Sequence, residues 1–285
     1  MENIIISSEA TCDLPKELIE KYDIKVIDMD FIINGDAYST ANNTVTSTNL
    51  YQKMKNGIRT STSQVNIQTY EDFFTTQLEY GNVLHIAFSS GLSDTYKSAV
   101  TASKIVNEKS DKYKVYVIDS LCACSGQGLL AILSKIYSKK TKNIHKLIDF
   151  VENLKLNINH IFTVDNLKYL ANGGRIKQST ALIGNLINIK PVMRMDANGH
   201  LVIQNKVLCR KKALQALSNK LIESIDSKSD IIFISHANCI NDAEICAQRI
   251  EESTNIKPII TDLGPVIGSH SGPGTLAIFF VGTSR

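Results

Sequence analysis

Short apolar runs alternate with helix-period segments along the whole chain, and this alternation limits the possible folds more than any single motif. Residues 4–7, 25–33, 83–89 and 114–119 read as strands. Residues 15–22, 50–55, 67–78, 95–107 and 126–139 carry helical periodicity, with Asp13 and Pro15 marking the first helix start. A βαβα order of this kind calls for a mostly parallel sheet with helices on its faces. A helix over 144–156 closes this unit, and 158–164 restarts as a strand. A helix over 166–171 is stopped by Asn172-Gly173-Gly174, and another follows over 179–186. Residues 191–195 and 200–207 flank Asp196-Ala197-Asn198-Gly199, a hairpin signal because Asn-Gly accepts positive φ. Segments 211–225, 230–236, 243–253, 258–263 and 276–281 then return to α/β alternation. The expected fold is α/β, with two α/β domains packed together over 1–156 and 157–285. The first sheet is expected to be mostly parallel and the second mixed.

A chain of 285 residues is long enough to bury a real core. Its net charge of +3 is small and scattered, which argues against a nucleic-acid partner. Lys139-Lys140 and Arg210-Lys211-Lys212 read as solvated helix ends and faces. The N-terminal residues lack a basic region and a long apolar run, and no stretch reaches the ~20 apolar residues of a membrane-spanning helix. The expectation is a cytoplasmic protein without a transmembrane segment. Cys12, Cys122, Cys124, Cys209, Cys239 and Cys246 are scattered, as reduced thiols would be. Cys122-Ala123-Cys124 lacks redox spacing, and zinc binding by His236, Cys239 and Cys246 is a weak alternative.

Chemistry is suggested by 264–274, where His270 lies among four glycines and two prolines. The segment reads as a rigid loop whose backbone amides approach a ligand, with the imidazole donating a hydrogen bond or carrying a proton. Hydroxyl-rich loops over 7–11, 60–64 and 89–95, and Asp119-Ser120, fall at strand ends. A helix cap needs one hydroxyl, and the first three loops offer three or four each. The excess favours a small anion bound at helix N-termini. Neither G-x-G-x-x-G nor a P-loop is present, and Ser93 does not lie in G-x-S-x-G. A hydrolase or transferase using Ser93 and His270 is the enzymatic alternative, although Asp94 is badly placed to orient the histidine.

Thr62-Ser63-Gln64, Ser89-Ser90-Gly91-Leu92-Ser93 with Thr95-Tyr96, and Asp119-Ser120 occur in a recognisable order. Asn166-Leu167-Lys168-Tyr169-Leu170, Gly173-Gly174-Arg175-Ile176, Ile189-Lys190-Pro191 and the His270 segment follow. With these motifs the chain resembles, across essentially its full length, the DegV family of bacterial lipid-binding proteins. The resemblance implies a lipid tunnel at the domain junction holding one long-chain fatty acid (C14–C18), with no cofactor, no metal and no catalysis. It implies that Thr62 and Ser93 bind the carboxylate, with Ser63 and His270 in the same network. It further implies presentation of the acid to a fatty acid kinase resembling dihydroxyacetone kinases. The acyl phosphate would then pass to an acyltransferase at the membrane surface, for phospholipid synthesis. Arg175 is expected at the mouth, meeting the phosphate or the partner. A lipid-sensing regulator is a further reading. The chain departs from the family pattern in Ser8-Glu9-Ala10-Thr11, where Thr-Asp-Ser-Thr is frequent, and in Asp94, where glycine is frequent. Asp94 adds negative charge near the expected carboxylate and would repel it unless it turns away or pairs with Arg175 or a lysine; helix capping is the expected reason for it.

Overall fold

The computed structural model describes residues 3–42, 44–179 and 189–285. Four parallel strands form the first sheet, in the order β2-β1-β6-β7: β1 (Ile4–Glu9), β2 (Ile24–Ile27), β6 (Asn82–Ala87) and β7 (Val115–Asp119). Every residue of β1 is buried, which is why Ile4, Ile5 and Ile6 follow one another without polar alternation. Successive side chains still serve opposite faces. Ile5, Val83 and Val115 pack with Tyr70, Phe74, Ala99 and Ala102 from α3 (Ile67–Leu78) and α4 (Thr95–Lys109). Ile4, Ile6, Leu84 and Ile86 join Leu129 and Leu130 of α5 (Cys124–Thr141).

The second sheet is mixed and six-stranded, ordered β10-β9-β8-β13-β11-β12. Its strands are β8 (Ile158–Thr163), β9 (Ile189–Met195), β10 (Leu201–Leu208), β11 (Ile232–His236), β12 (Ile259–Asp262) and β13 (Leu276–Val281). Only β11 and β12 pair in parallel, and the expected hairpin joins β9 to β10. On the outer face, α8 (Cys209–Ser224) and α9 (Ile240–Thr254) bury Leu214, Leu217, Leu221 and Ile250 against Ile161, Ile234, Ile278 and Phe280. The inner face turns Phe162, Phe233, Ala277 and Phe279 into the same core as the first sheet.

Helix α5 joins these layers. It contacts β1 and β6 on one side and β8, β11 and β13 on the other. Its first nine residues, Cys124 through Ile132, are all buried, as expected of a helix enclosed on every side. Gly126 and Gly128 lie where a Cβ would overlap His160 and Leu14. Helix α6 (Ile144–Leu154) follows α5 and leads through a 3-10 turn into β8.

Four expectations are revised. The strand expected over 25–33 is two strands in different sheets, β2 and then β3 (Asp30–Ile33), separated by Asp28-Met29. β3 pairs antiparallel with β4 (Asp36–Ser39) and with β5 (Thr60–Thr62), so part of the loop expected over 60–64 is a strand. Thr-Ser-Thr has no apolar alternation to reveal this. Asn34 and Gly35, both at positive φ, make the tight turn from β3 to β4. The hydroxyl loop expected over 7–11 begins as strand, because Ser7, Ser8 and Glu9 end β1. The fourth revision concerns 264–274, which is largely helix: α10 (Pro265–Ser271), with Pro265 at its first turn. Gly272 ends it at φ 80, where a Cβ would overlap the ring of Tyr169 on α7 (Lys168–Asn172), and Gly268 lies against the Tyr51 hydroxyl. These glycines seat a helix on tyrosines and do not expose amides to a ligand. Apart from Ser179, the helix expected over 179–186 lies outside the described residues.

Candidate functional site

The carboxyl ends of β1 and β6 face the inner surface of the second sheet, and a cavity of about 560 Å3 lies there. Ligands in open α/β sheets collect at this end of the strands. Thr62, Ser63, Ser93, Arg175 and His270, far apart in sequence, all line the cavity. The remaining wall is largely apolar, with Phe88, Leu92, Phe162, Met195, Leu201, Ile267 and Phe279.

His270 organises the polar part. Thr60 Oγ1 donates to Ser269 O at 3.0 Å and fastens β5 to α10. That contact brings Thr62 Oγ1 to 2.7 Å from His270 Nε2. On the other side of the ring, Arg175 Nη1 lies 3.4 Å from Nδ1 and also donates to Gly173 O. The guanidinium can only donate, so Nδ1 accepts and Nε2 carries the hydrogen. Nε2–H therefore donates to Thr62 Oγ1 and leaves the threonine hydrogen free to point at a ligand. A Cβ at Gly173 would overlap Nδ1, so this ring position requires glycine there. Burial, with the charge of Arg175 second, pushes the His270 pKa down to about 4, and the ring is neutral at physiological pH.

Ser93 begins the approach to α4. Its Oγ accepts from Thr95 N at 3.2 Å and lies 2.9 Å from Thr95 Oγ1. When Thr95 donates, the Ser93 hydrogen is free to enter the cavity. Asp94 occupies the N-cap position of α4 but makes no capping hydrogen bond. This corrects the expectation that Asp94 caps the helix: Ser93 accepts from the helix amide, and the Asp94 carboxylate pairs with Lys97 at 2.7 Å. The pairing offsets the charge that Asp94 brings to the rim.

The departure at Glu9 also has a physical account. Its side chain is fully buried, and its carboxylate accepts from the Tyr70 hydroxyl at 2.6 Å, Gln127 Nε2 at 2.6 Å and Phe88 N at 3.0 Å, with His85 Nε2 at 3.0 Å. Burial opposes ionisation, but the charge and hydrogen bond of His85, with those from Tyr70 and Gln127, carry the Glu9 pKa below its usual value. Glu9 thus fixes the Phe88 amide where the loop bearing Ser93 leaves β6. Gln127 also accepts from Thr11, a cavity-lining hydroxyl, at 2.9 Å.

Sequence reasoning missed the apolar wall. Strand alternation identifies Phe162 and Phe279 as one-face residues, but it cannot show that part of that face borders a cavity. No group of three or more potential metal ligands comes together among the described residues. No described helix is long and apolar enough to cross a membrane.

Comparison with known proteins places this architecture. The family model described as "Uncharacterised protein, DegV family" matches residues 3–283. A DegV domain-containing protein of Clostridium perfringens is 37% identical over 289 residues, covering 100% of this chain and 99% of the relative. Among solved structures, a DegV lipid-binding protein from Thermotoga maritima is 29% identical with a TM-score of 0.85, and each chain is covered completely. DegV of Bacillus subtilis, described as a fatty acid binding protein, is 26% identical with a TM-score of 0.86, covering 99% of this chain and 100% of that one.

Proposed function

The chain belongs to the DegV family, and on that footing we propose that it binds one long-chain fatty acid in the cavity between its sheets. The observation that carries this reading is a single cavity with an apolar wall and a compact polar group of Thr62, Ser63, Ser93, His270 and Arg175. Burying about ten methylenes at ~0.8 kcal/mol each gives a gross ~8 kcal/mol, so the tail dominates affinity. The head group needs orientation and satisfied oxygens, each charge-assisted hydrogen bond contributing about 1.5–3 kcal/mol. Thr62 and Ser93 donate hydroxyls to the carboxylate, Ser63 and His270 complete the network, and Arg175 supplies positive charge at the rim. The acid is of the C14–C18 class, and the protein works in the cytoplasm.

The same geometry disfavours hydrolysis by Ser93 and His270. A serine hydrolase needs its histidine bonded to the nucleophile on one nitrogen and to a carboxylate on the other. Here Nε2 faces Thr62, Nδ1 faces a guanidinium, and the ring is a weak base. The protein is accordingly a carrier. It presents the carboxylate to a separate ATP-dependent fatty acid kinase and passes the acyl phosphate to an acyltransferase for phospholipid synthesis. Arg175 meets the phosphate or the kinase.

Native mass spectrometry of protein purified from bacteria tests the reading. One bound long-chain acid per chain is expected, with loss of most of it in the double variant Thr62→Ala/Ser93→Ala. An empty protein that turns over esters would instead establish the hydrolase. Full retention of the acid by the double variant would remove both hydroxyls from the site.

A further inference from the structure

Ser271 ends α10 next to His270, is 5% exposed and lines the cavity. Its Oγ has no hydrogen-bond partner among the described residues. Buried serines elsewhere in the helices behave differently. Ser134 donates to Leu130 O at 2.7 Å, Ser218 to Leu214 O at 3.1 Å and Ser269, two residues earlier on the same short helix, to Pro265 O at 2.7 Å. Back-bonding to the carbonyl four residues earlier is the ordinary solution for a serine inside a helix. Ser271 does not take it, although Ile267 O occupies the equivalent place.

A buried hydroxyl without a partner is costly, which is a reason to expect that something outside the fold supplies the bond. Helical spacing fixes what that can be. Ser271 stacks on Ile267, four residues earlier, as His270 stacks on Val266, and all four border the cavity. Ile267 packs with Phe88, Met195 and Leu201 at the apolar wall. Ser271 therefore borders the cavity where the polar network gives way to the apolar wall. The carbonyls nearest in sequence beyond it are already occupied, since Thr275 Oγ1 donates to Ser271 O and Gly272 O.

We propose that Ser271 donates a further hydrogen bond to the ligand carboxylate, from the tail side of the Thr62–His270 pair. The assignment rests on the fatty-acid reading above and adds a contact to it. A carboxylate has about four lone-pair directions, enough for Thr62, Ser93 and a third hydroxyl together. The added donor makes the site select an anionic head over a neutral one of equal chain length.

The test uses delipidated full-length protein, hexadecanoic acid and hexadecan-1-ol, with wild type compared to Ser271→Ala. Affinity for the acid is expected to fall about tenfold and that for the alcohol by less than about threefold, as hydrogen bonds to charged groups are the stronger ones. The ligand-free variant is expected to melt at the same temperature as wild type or higher, because an unpartnered hydroxyl has been removed. Unchanged acid affinity, or equal loss for acid and alcohol, overturns the proposal. A lower melting temperature without ligand also overturns it, by showing that the hydroxyl has a partner within the protein. If wild type binds neither compound, the carrier reading itself falls and the Ser271 contact with it.

Discussion

Replacing His270 by glutamine tests the electrostatic account of the site without removing its geometry. Burial, reinforced by Arg175, holds the His270 pKa at about 4, whereas an unfolded-chain histidine titrates near ~6.5. Between these values the unfolded chain binds a proton that the folded protein refuses. Stability is therefore greatest above about pH 6.5, falls as the pH drops towards 4, and loses nothing more from this group below that. A gap of roughly 2.5 pH units at ~1.36 kcal/mol each makes the full loss about 3 kcal/mol. For a chain of this size that corresponds to roughly 6–12 °C in Tm. His270→Gln keeps a donor within reach of Thr62 but does not titrate. The assay is thermal unfolding of delipidated wild type and variant in half-unit steps from pH 4 to 8. His160 and His236, whose pKa values burial also lowers, are present in both proteins and cancel in the difference. The variant should gain stability relative to wild type as pH falls, by about 3 kcal/mol in all. A flat difference, or one of opposite sign, would refute the buried, neutral imidazole. Loading with acid should shrink the drop, since a carboxylate beside the ring favours its protonated form.

Glu9→Gln should cost about 3 kcal/mol at pH 7 in urea denaturation, because it disrupts a fully buried charge network. Since the Glu9 pKa is lowered, that contribution is present above the unfolded value near ~4.3 and fades as pH falls through the folded one. Gly272→Ala should destabilise by at least ~1 kcal/mol, given its positive φ and the Tyr169 ring beside it, and should also lower acid affinity by displacing His270. Arg175→Ala should slow acyl-phosphate formation in the presence of a partner kinase more than it weakens acid binding, which a coupled assay and a binding titration separate.

The fold was legible wherever a segment was long and apolar. The helix over 67–78 and the strand over 276–281 have the expected bounds, the helix because it buries one stripe of side chains and the strand because it is apolar on both faces. Reading failed where tertiary packing sets local structure. Segment 264–274 has the composition of a loop, yet seven of its residues, Pro265–Ser271, form a helix whose Gly268 and following Gly272 pack against Tyr51 and Tyr169. Thr60–Thr62 has no pattern of its own and is a strand only through pairing with β3. The candidate site divides in the same way. Thr62, Ser63, Ser93, Arg175 and His270 lie in motifs that could be recognised, and they meet around one cavity. Ser271 had no signal, because its placement follows from a helix the sequence did not announce. A lysine partner for Asp94 was one of the sequence expectations, and Lys97 at i, i+3 supplies it, whereas the capping role favoured for aspartate is taken by Ser93.

Helix α5 has a consequence for how the cavity exchanges its contents. Because one buried helix is wall to both sheets, the halves cannot swing apart like a clamshell without stripping α5 from one of them. Hinged opening needs an interface that can be parted cheaply, and this one is the protein's main core. Traffic is left to small displacements at the rim, where β5, the Ser89–Asp94 turn and the end of α10 border the cavity. On the proposed reading, a bound acid is expected to leave such a vessel slowly.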